Sequence, residues 1–380
     1  MTLLGIHLTL LIGATVPTPA PVLLTEALQQ VRVTHSDESG SGFQMTFAIG
    51  RGGSQPLLDY PLLSSPLLAP FNRVILLVTT GAIPQLLMDG LITHHQLTPG
   101  ATPGASTLTV TGKDVSVVMG REEKSVEHPA QNEAIIVAQL LMGYARYGLI
   151  PEIIPPPVLT IPLPTEMIPV QTGSDLAYIK ELAAHYGFLF YVVPGPLPGS
   201  NTAYWGPPRR LGVPQKALTV NMGPATNVSS IQFARDEQEP TTYSGTIQDK
   251  TTDKQTPVRT SLSERPPLAA QSSILKNSAH MRSTQFRQGG LTTQQAWARA
   301  QAQTDKSTDN VVTATGELNA LRYGDLLQPR GIVGLRGAGY SYDGLYYVKE
   351  VTHTIARGSY TQGFQLAREG VGAISPLVRP

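Results

Sequence analysis

The residues that could do chemistry in this 380-residue sequence occur as fragments of motifs, without a complete catalytic or metal-binding set. His94 and His95 are adjacent in a strand-like stretch, so their side chains point to opposite faces and cannot chelate one metal ion. Asp114 and Glu152 could act as a pair of carboxylates, but nothing in the sequence places them together. No H-E-x-x-H motif for zinc occurs.

Two further fragments lack the partners that their chemistry requires. Ser273-Ile-Leu-Lys276 matches S-x-x-K, but the S-D-N and K-T-G motifs are absent. Gly112-Lys113 precedes Asp114 and lacks the earlier glycine of a phosphate-binding loop. The chain has no cysteine, which excludes disulfides, thiolate metal sites and cysteine nucleophiles. We therefore predict no catalytic, cofactor-binding or metal-binding residues, and a protein that is not an enzyme.

Composition indicates a folded subunit with few charges. Hydrophobic residues make up 41% of the chain, which is enough for a sizeable core. Charged residues make up only 14%, against about 25% in an average soluble domain. Such a surface favours a subunit of a larger assembly. The net charge of +1 argues against direct binding of nucleic acid.

The N-terminal stretch has the period of a strand. Ile6, Leu8, Leu10 and Ile12 alternate with other residues, and the apolar run is too short to span a bilayer as a helix. The first basic residue is Arg32, so the charged region of a signal peptide is missing. We predict a strand and no membrane span, with a signal peptide or anchor as the alternative.

Short strands with turn signals dominate residues 1–125. Alternating apolar residues predict strands at 31–33 and 43–49, and the continuous apolar run Val74–Val78 predicts a strand covered on both faces. Asp89-Gly90 predicts a tight turn before the strand Leu91–His95. This meander is typical of a barrel or sandwich, and we expect residues 210–245 to complete it.

Residues 126–209 predict a small α+β insertion. Apolar residues at helical spacing indicate a helix within 131–148, and a proline-rich connector follows. Asp175 is predicted to cap a second helix, which Gly187 ends before the strand Phe188–Val193.

Residues 246–291 are polar and basic. From 250 to 290 there are seven basic and two acidic residues, a net charge of +5, which leaves −4 for the rest of the chain. The segment has little periodicity, so it is either a solvated linker or an arm that orders against an acidic neighbour. The arginines predicted to make that contact are Arg259, Arg265, Arg282 and Arg287.

Residues 292–380 predict a helix followed by a second β domain. Thr292 and Gln295 form a capping-box pattern. Further along, Tyr360, Phe364 and Leu366 share one face of a strand. The fold class is therefore mainly β with an α+β insertion.

Three stretches, in this order, resemble the phage late control protein D family, which groups with T-even baseplate hubs and the hub part of type VI secretion spike proteins. They are 74–119, with MDGLITHHQL and LTVTGKDVSVVM; 171–208, with QTGSDLAYIKELAAHYGFLFYVV; and 316–368, with LRYGDLLQPRG and GLYYVKEVTHTIARGSYTQGFQLAR. The motif positions in these stretches are interpreted as punctuation of the fold: Asp89, Gly90, Asp114, Asp175, Gly187, Gly324, Asp325, Gly344 and Tyr347.

The resemblance implies a structural baseplate hub of a contractile phage tail or contractile injection system. Such a hub is a homotrimer with two tail-tube-like β barrels per subunit, and it joins a six-fold tail tube to a three-fold spike. Its expected partners are a tail tube initiator protein, a spike protein and other baseplate proteins. Its expected location is the virion baseplate or an injection particle assembled in the cytoplasm. A baseplate-associated cell-wall hydrolase and a secreted β-rich adhesin are the alternatives.

Overall fold

The computed structural model describes residues 2–374, except 4, 15, 51–59, 61, 82, 103–104, 160 and 166. The last six residues of the predicted second β domain, 375–380, lie outside the described residues. Strands predominate over helices along the chain, which confirms the mainly β prediction.

The N-terminal part of the chain consists of eight strands and one short helix. They are β1 (Thr2–Leu3), β2 (Ile6–Gly13), β3 (Thr18–Pro19), α1 (Val22–Ala27), β4 (Leu28–Ser36), β5 (Ser41–Ile49), β6 (Arg73–Thr79), β7 (Pro84–Thr98) and β8 (Ser106–Asp114). The predicted N-terminal strand is confirmed, because β2 alternates buried and exposed residues and pairs along its length with β6.

The next part contains two helices and three small strand pairings. Its elements are a 3₁₀ helix (Val115–Gly120), β9 (Glu123–Glu127), α2 (Glu133–Met142), β10 (Leu149–Ile153), β11 (Val170–Ser174), α3 (Asp175–Ala184), β12 (Leu189–Pro194) and β13 (Asn201–Gly206). Strands β10, β13 and β12 form one sheet, and β9 pairs with β11. We refer to residues 115–206 as the insertion.

The C-terminal part returns to strands. Its elements are β14 (Gln215–Thr219), β15 (Val228–Arg235), β16 (Thr241–Gln248), β17 (Gln255–Arg259), β18 (Ala269–Ser272), α4 (Ser273–Lys276), β19 (Arg282–Gln285), α5 (Thr293–Thr308), β20 (Val312–Asn319), α6 (Ala320–Tyr323), β21 (Ile332–Arg336), β22 (Gly344–Ala356), β23 (Ser359–Arg368) and β24 (Gly370–Ala373). The capping box of α5 is confirmed, since Thr292 and Gln295 exchange side-chain and backbone hydrogen bonds.

One 14-stranded sheet spans both ends of the chain. Its order is β1-β2-β6-β7-β8-β5-β4-β22-β23-β20-β15, with β3 on β2, β21 on β22 and β14 on β21. The strands of the two predicted barrel regions therefore do not form two separate barrels. The described strands of both regions share one open sheet. The reason is that β4 and β22, which could each have been the edge of a separate sheet, pair with one another from Gln30–Ala356 to Ser36–Glu350.

The expectation that residues 210–245 complete the N-terminal β domain is wrong. Strand β14 pairs with β21, and β15 pairs with β20, so both belong to the C-terminal half of the sheet. The packing explains this placement: Leu218 and Val228 are buried in a core with Phe364 and Leu366 of β23. A separate core around Phe47 and other residues supports the N-terminal half.

Residues 246–291 are not structureless. Strands β17 and β19 flank β16 in a three-stranded sheet, and β18 pairs with β24. One side of the three-stranded sheet packs on α5, where Ile247, Val258 and Phe286 meet Ala296 and Ala300. Only a few widely spaced apolar residues build this small core, and for that reason the sequence shows no clear period there.

Candidate functional site

The insertion has its own core. Trp205 is completely buried in it, its indole N–H donates to the carbonyl oxygen of Ile179 at 3.3 Å, and Phe188 packs edge-on against its ring. The insertion is therefore a compact unit that attaches to the sheet by contacts outside its core. Of the predicted motif positions, Asp89 and Asp114 lie at those contacts.

Asp89 anchors the insertion to the N-terminal half of the sheet. Its carboxylate accepts two hydrogen bonds from Arg73, at 2.6 and 2.8 Å, and is 1% exposed. It also accepts from the backbone N–H of Gly199 and the side chain of Asn201 in the insertion. Arg73 in turn donates to the carbonyl oxygens of Tyr147 and Gly199, both at 3.0 Å. One buried ion pair thus joins two separate parts of the chain.

The predicted tight turn at Asp89-Gly90 is wrong, because both residues lie in the middle of β7. Gly90 has a different role: a Cβ atom at this position would lie 2.3 Å from the carbonyl oxygen of Lys113. The glycine therefore permits the close approach of β8, which pairs with β7 at this point.

Asp114 and Asp175 each organise the start of a helix. Asp114 accepts from the N–H of Ser116, which caps the 3₁₀ helix, and from the N–H of Ser41 on β5. The predicted cap role of Asp175 is wrong, because Ser174 is the N-cap of α3 and Asp175 is its first residue.

Asp175 accepts hydrogen bonds from the side chains of Lys124, Tyr144 and Gln171 at 2.6 to 2.8 Å. Burial opposes its ionisation, but these donors outweigh burial and hold the pKa of the carboxyl below its ordinary value. The carboxylate therefore ties β9, the turn after α2 and β11 to the first turn of α3.

A second buried charge network joins the insertion's C-terminal end to the C-terminal half of the chain. Arg210 is 4% exposed and donates to Asp309 at 2.5 Å and to Glu369 at 3.0 Å. Glu369 also accepts from the backbone N–H groups of Leu268 and Ala269. Arg210 contacts one carboxylate oxygen of Asp309, and a second arginine pairs with the other oxygen.

That second arginine is Arg265, one of the four predicted contact arginines. It donates to the carbonyl oxygen of Gly187 at 3.0 Å and pairs with Asp309 at 3.3 Å. Gly187 has a φ of +62° and ends the α3 region as predicted. Arg265 is therefore engaged inside the chain, whereas Arg259, Arg282 and Arg287 are exposed and have no carboxylate partner among the described residues.

A cleft of about 350 Å³ lies beside this network. Asp37 and Tyr347 line it, and both side chains are buried with an oxygen that lacks a hydrogen-bond partner. Burial raises the pKa of Asp37 to about 6, although Lys349 opposes the shift. Burial also raises the pKa of Tyr347 well above its ordinary value.

The remaining motif positions shape the backbone of the C-terminal half. Gly324 adopts a φ of +71° at the end of α6, and Gly344 a φ of +123° at the start of β22. Asp325 accepts from the N–H of Leu326 at 2.7 Å. These residues act on the fold locally and are not brought together into one site.

The fragments of catalytic motifs also remain apart. Asp114 caps a 3₁₀ helix, whereas Glu152 pairs with Arg209. Ser273 donates to Glu237, and Lys276 at the other end of the short α4 is exposed. In the described part of the chain, no three His, Asp or Glu side chains are placed to hold a metal ion. No helix in that part is long and apolar enough to cross a membrane.

Sequence reasoning missed Arg330. It has a φ of +63°, is 5% exposed, and donates to the carbonyl oxygen of Ser36 at 2.7 Å and to the hydroxyl of Ser41. Its guanidinium also lies 4.1 Å from the ring centre of Tyr191 in the insertion. One side chain therefore contacts both halves of the sheet and the insertion. Apart from the PRG triplet that contains Arg330, no sequence motif marks this residue as a contact.

Comparison with solved structures supports the fold assignment. The chain is similar to a tail protein of Neisseria meningitidis, with 11% identity, a TM-score of 0.66 and coverage of 97% of this chain and 98% of that one. It is similar to the 43 kDa tail protein of prophage MuSo2 from Shewanella oneidensis, with 12% identity, a TM-score of 0.62 and coverage of 95% and 98%.

A third similar structure is the E. coli c3393 protein, described as a component of the type VI secretion system with structural similarity to T4 bacteriophage tail proteins. It has 10% identity, a TM-score of 0.53 and coverage of 93% of this chain and 77% of that one. Protein-family models and curated proteins give no match to the sequence. The chain thus has the fold of phage tail and type VI secretion proteins, which confirms the predicted resemblance at the level of fold.

Proposed function

We propose that this protein is a structural baseplate hub of a contractile phage tail or contractile injection system. The observation that carries the proposal is the similarity of fold over almost the whole length of two phage-type tail proteins. The proposed role is to join a six-fold tail tube to a three-fold spike, without catalysis. The proposed location is the virion baseplate or an injection particle assembled in the cytoplasm.

The proposed assembly is a homotrimer. The 14-stranded sheet is open, and among the described strands its end strand β15 pairs with β20 alone, so one edge offers backbone groups to a neighbour. Two halves of the sheet in each of three subunits would present six similar units to a tube within closed cyclic symmetry. We propose a tail tube initiator, a spike protein and other baseplate proteins as partners.

The surface also supports assembly. Large apolar side chains are exposed on the insertion and after it, including Ile150, Ile161, Leu163, Leu211 and Val213. Soluble monomers rarely leave many such side chains in water, so partner subunits are expected to cover them. The proposed domain limits are 1–125, 126–209, 246–291 and 292–380, with 210–245 reassigned to the C-terminal half.

Native mass spectrometry at micromolar concentration tests the proposal. We expect a species of three chain masses, and binding of a spike protein at one end. Electron microscopy of the parent particle should place the protein between tube and spike. A monomer that joins neither a tube nor a spike protein would refute the hub role.

A further inference from the structure

A cleft lies between the N-terminal half of the sheet and the insertion. Its volume is about 980 Å³, and its lining includes Phe71, Arg73, Arg121, Tyr144, Arg146 and Tyr147. Its floor includes Arg73, whose guanidinium already donates two hydrogen bonds to Asp89. Its walls are aromatic and cationic, and the guanidinium groups of Arg121 and Arg146 take no part in the ion pairs that attach the insertion.

Two arginines in this cleft are free of carboxylates. Arg121 and Arg146 are exposed, and neither forms an ion pair with a described residue. The other cations of the cleft differ, because Arg73 pairs with Asp89 and Lys124 with Asp175. The cleft therefore has two guanidinium groups whose charge no carboxylate of the described chain neutralises.

Aromatic rings hold both guanidinium groups in place. Arg121 lies 4.3 Å from the ring centre of Phe71, and Arg146 lies 4.9 Å from that of Tyr147. Stacking of this kind stabilises a cation and leaves its N–H edges free to donate. The side chains are thus arranged before any ligand arrives, which lowers the entropic cost of binding.

The loop that carries Phe71 is built to display it. Phe71 has a φ of +66°, an unfavourable conformation for a bulky side chain, and its ring is 41% exposed. The side chain of the buried Asn72 donates to the carbonyl oxygens of Pro66 and Leu67, both at 2.8 Å. The N–H of Phe71 donates to the carbonyl oxygen of Ile92 at 2.8 Å. These bonds offset the backbone strain and keep an apolar ring in water.

We propose that this cleft binds an acidic polypeptide segment of a partner protein. Carboxylates of the segment would accept from Arg121 and Arg146, and its apolar atoms would cover the rings of Phe71 and Tyr147. Exposed arginine and aromatic side chains of this kind are typical energetic centres of protein interfaces. A polypeptide fits better than a nucleic acid, because the exposed Glu122 next to Arg121 would repel a continuous row of phosphates, whereas the carboxylates of a polypeptide can be spaced to avoid it.

The test measures fluorescence anisotropy with the full chain and a fluorescein-labelled peptide of alternating glutamate and tyrosine. The double variant Arg121→Gln/Arg146→Gln removes the two cleft cations. The matched control Arg32→Gln/Arg322→Gln removes two exposed cations outside the cleft. We expect the cleft variant to weaken binding about tenfold or more and the control by less than about twofold, as expected for a local charge contact.

Three results would overturn the proposal: no binding by the native chain, equal weakening by both double variants, or tighter cleft-dependent binding of oligothymidine than of the peptide. Phe71→Ser adds a check on the aromatic part and should weaken binding without removing charge. Thermal melting verifies that each variant is folded. The inference does not depend on the hub proposal, and native mass spectrometry of the same variants reports the trimer separately.

Discussion

The two halves of the large sheet and the insertion are held in place by different kinds of contact. The halves meet where β4 pairs with β22 through a continuous run of backbone hydrogen bonds. The insertion is attached mainly through side chains, above all the Asp89–Arg73 pair and the Arg210 network. The pairing of β4 with β22 depends little on which side chains its residues carry. The attachment of the insertion depends on a few charged side chains.

The two kinds of contact differ in how strongly a substitution should affect stability. Backbone pairing survives most substitutions, and its stability comes from the apolar cores on either side. A buried ion pair gives little net stability, but loss of one partner leaves an uncompensated charge at a cost of about 3–5 kcal/mol. We therefore expect the sheet to fail only when its cores are damaged, and the insertion to detach after a single change of charge.

The largest effect is expected in the core of the C-terminal half. Phe364 is 3% exposed and packs with Leu366, so Phe364→Ala should lower the free energy of unfolding by about 3–5 kcal/mol through lost burial and a cavity. The control Gln365→Ala lies on the opposite face and should change it by about 0.5 kcal/mol or less. Equal shifts in urea unfolding would contradict the strand assignment.

The attachment of the insertion should respond to a smaller chemical change. Asp89→Asn keeps the shape but removes the charge opposite Arg73, at an expected cost of about 3 kcal/mol because the guanidinium is left without a counter-ion. Glu152→Gln, in the exposed pair with Arg209, is the control and should cost about 1 kcal/mol or less. Hydrogen exchange should show faster exchange in the insertion than in β22.

If Asp89→Asn instead accelerates exchange equally throughout the chain, the insertion and the sheet unfold together. The contrast between the two kinds of joint would then be wrong.

The cleft beside the Arg210 network predicts a pH dependence. The pKa of Asp37 is raised to about 6 in the folded state, so its ionised form destabilises the fold at neutral pH. Asp37→Asn should raise the free energy of unfolding at pH 7.5 by up to about 2 kcal/mol. The advantage should fall away between about pH 6 and about pH 4, because over that range the native carboxyl binds a proton before the unfolded one does.

Urea unfolding of both proteins at pH 7.5 and pH 5 measures this effect. A gain of the same size at both pH values would mean that Asp37 is not protonated in this range.

The smallest effect on folding is expected from the exposed basic residues. Replacement of Arg259, Arg282 and Arg287 by serine should change the free energy of unfolding by about 0.5 kcal/mol or less, because these side chains have no carboxylate partner among the described residues. Assembly should weaken, and the loss should depend on salt because screening acts within about 8 Å at physiological ionic strength. Arg265→Ser should differ by destabilising the chain itself, since it pairs with Asp309.

Unchanged assembly of the triple variant at every salt concentration would show that the exposed arginines make no contact with a neighbour. Hydrogen exchange of residues 250–290 in the free chain and in the particle provides the independent measurement.

Much of the local structure could be predicted from the sequence. The periods of β2 and β23 and the capping box at Thr292 all depend on residues close together in the chain. Burial of every second residue defines a strand, and an N-cap needs only three following residues. The resemblance to hub proteins also rests on such local stretches in a fixed order.

The errors have a common origin. Asp89-Gly90 has the composition of a turn, but pairing of β7 with both β6 and β8 keeps the chain extended there. Residues 246–291 have few apolar residues, and α5 supplies the rest of their core from outside the segment. In both cases the deciding contacts come from residues far away in the sequence.

The class of fold and most strands and helices could be predicted from the sequence alone. The concentration of positive charge in residues 250–290 is likewise visible there. The pairing of β4 with β22 and the position of β14 and β15 in the C-terminal half are visible in the tertiary structure alone. The same is true of the cleft in which Arg121 and Arg146 lack carboxylate partners among the described residues. The physical reason is range: propensity and periodicity act over a few residues, whereas sheet pairing and charge neutralisation depend on which distant segments meet.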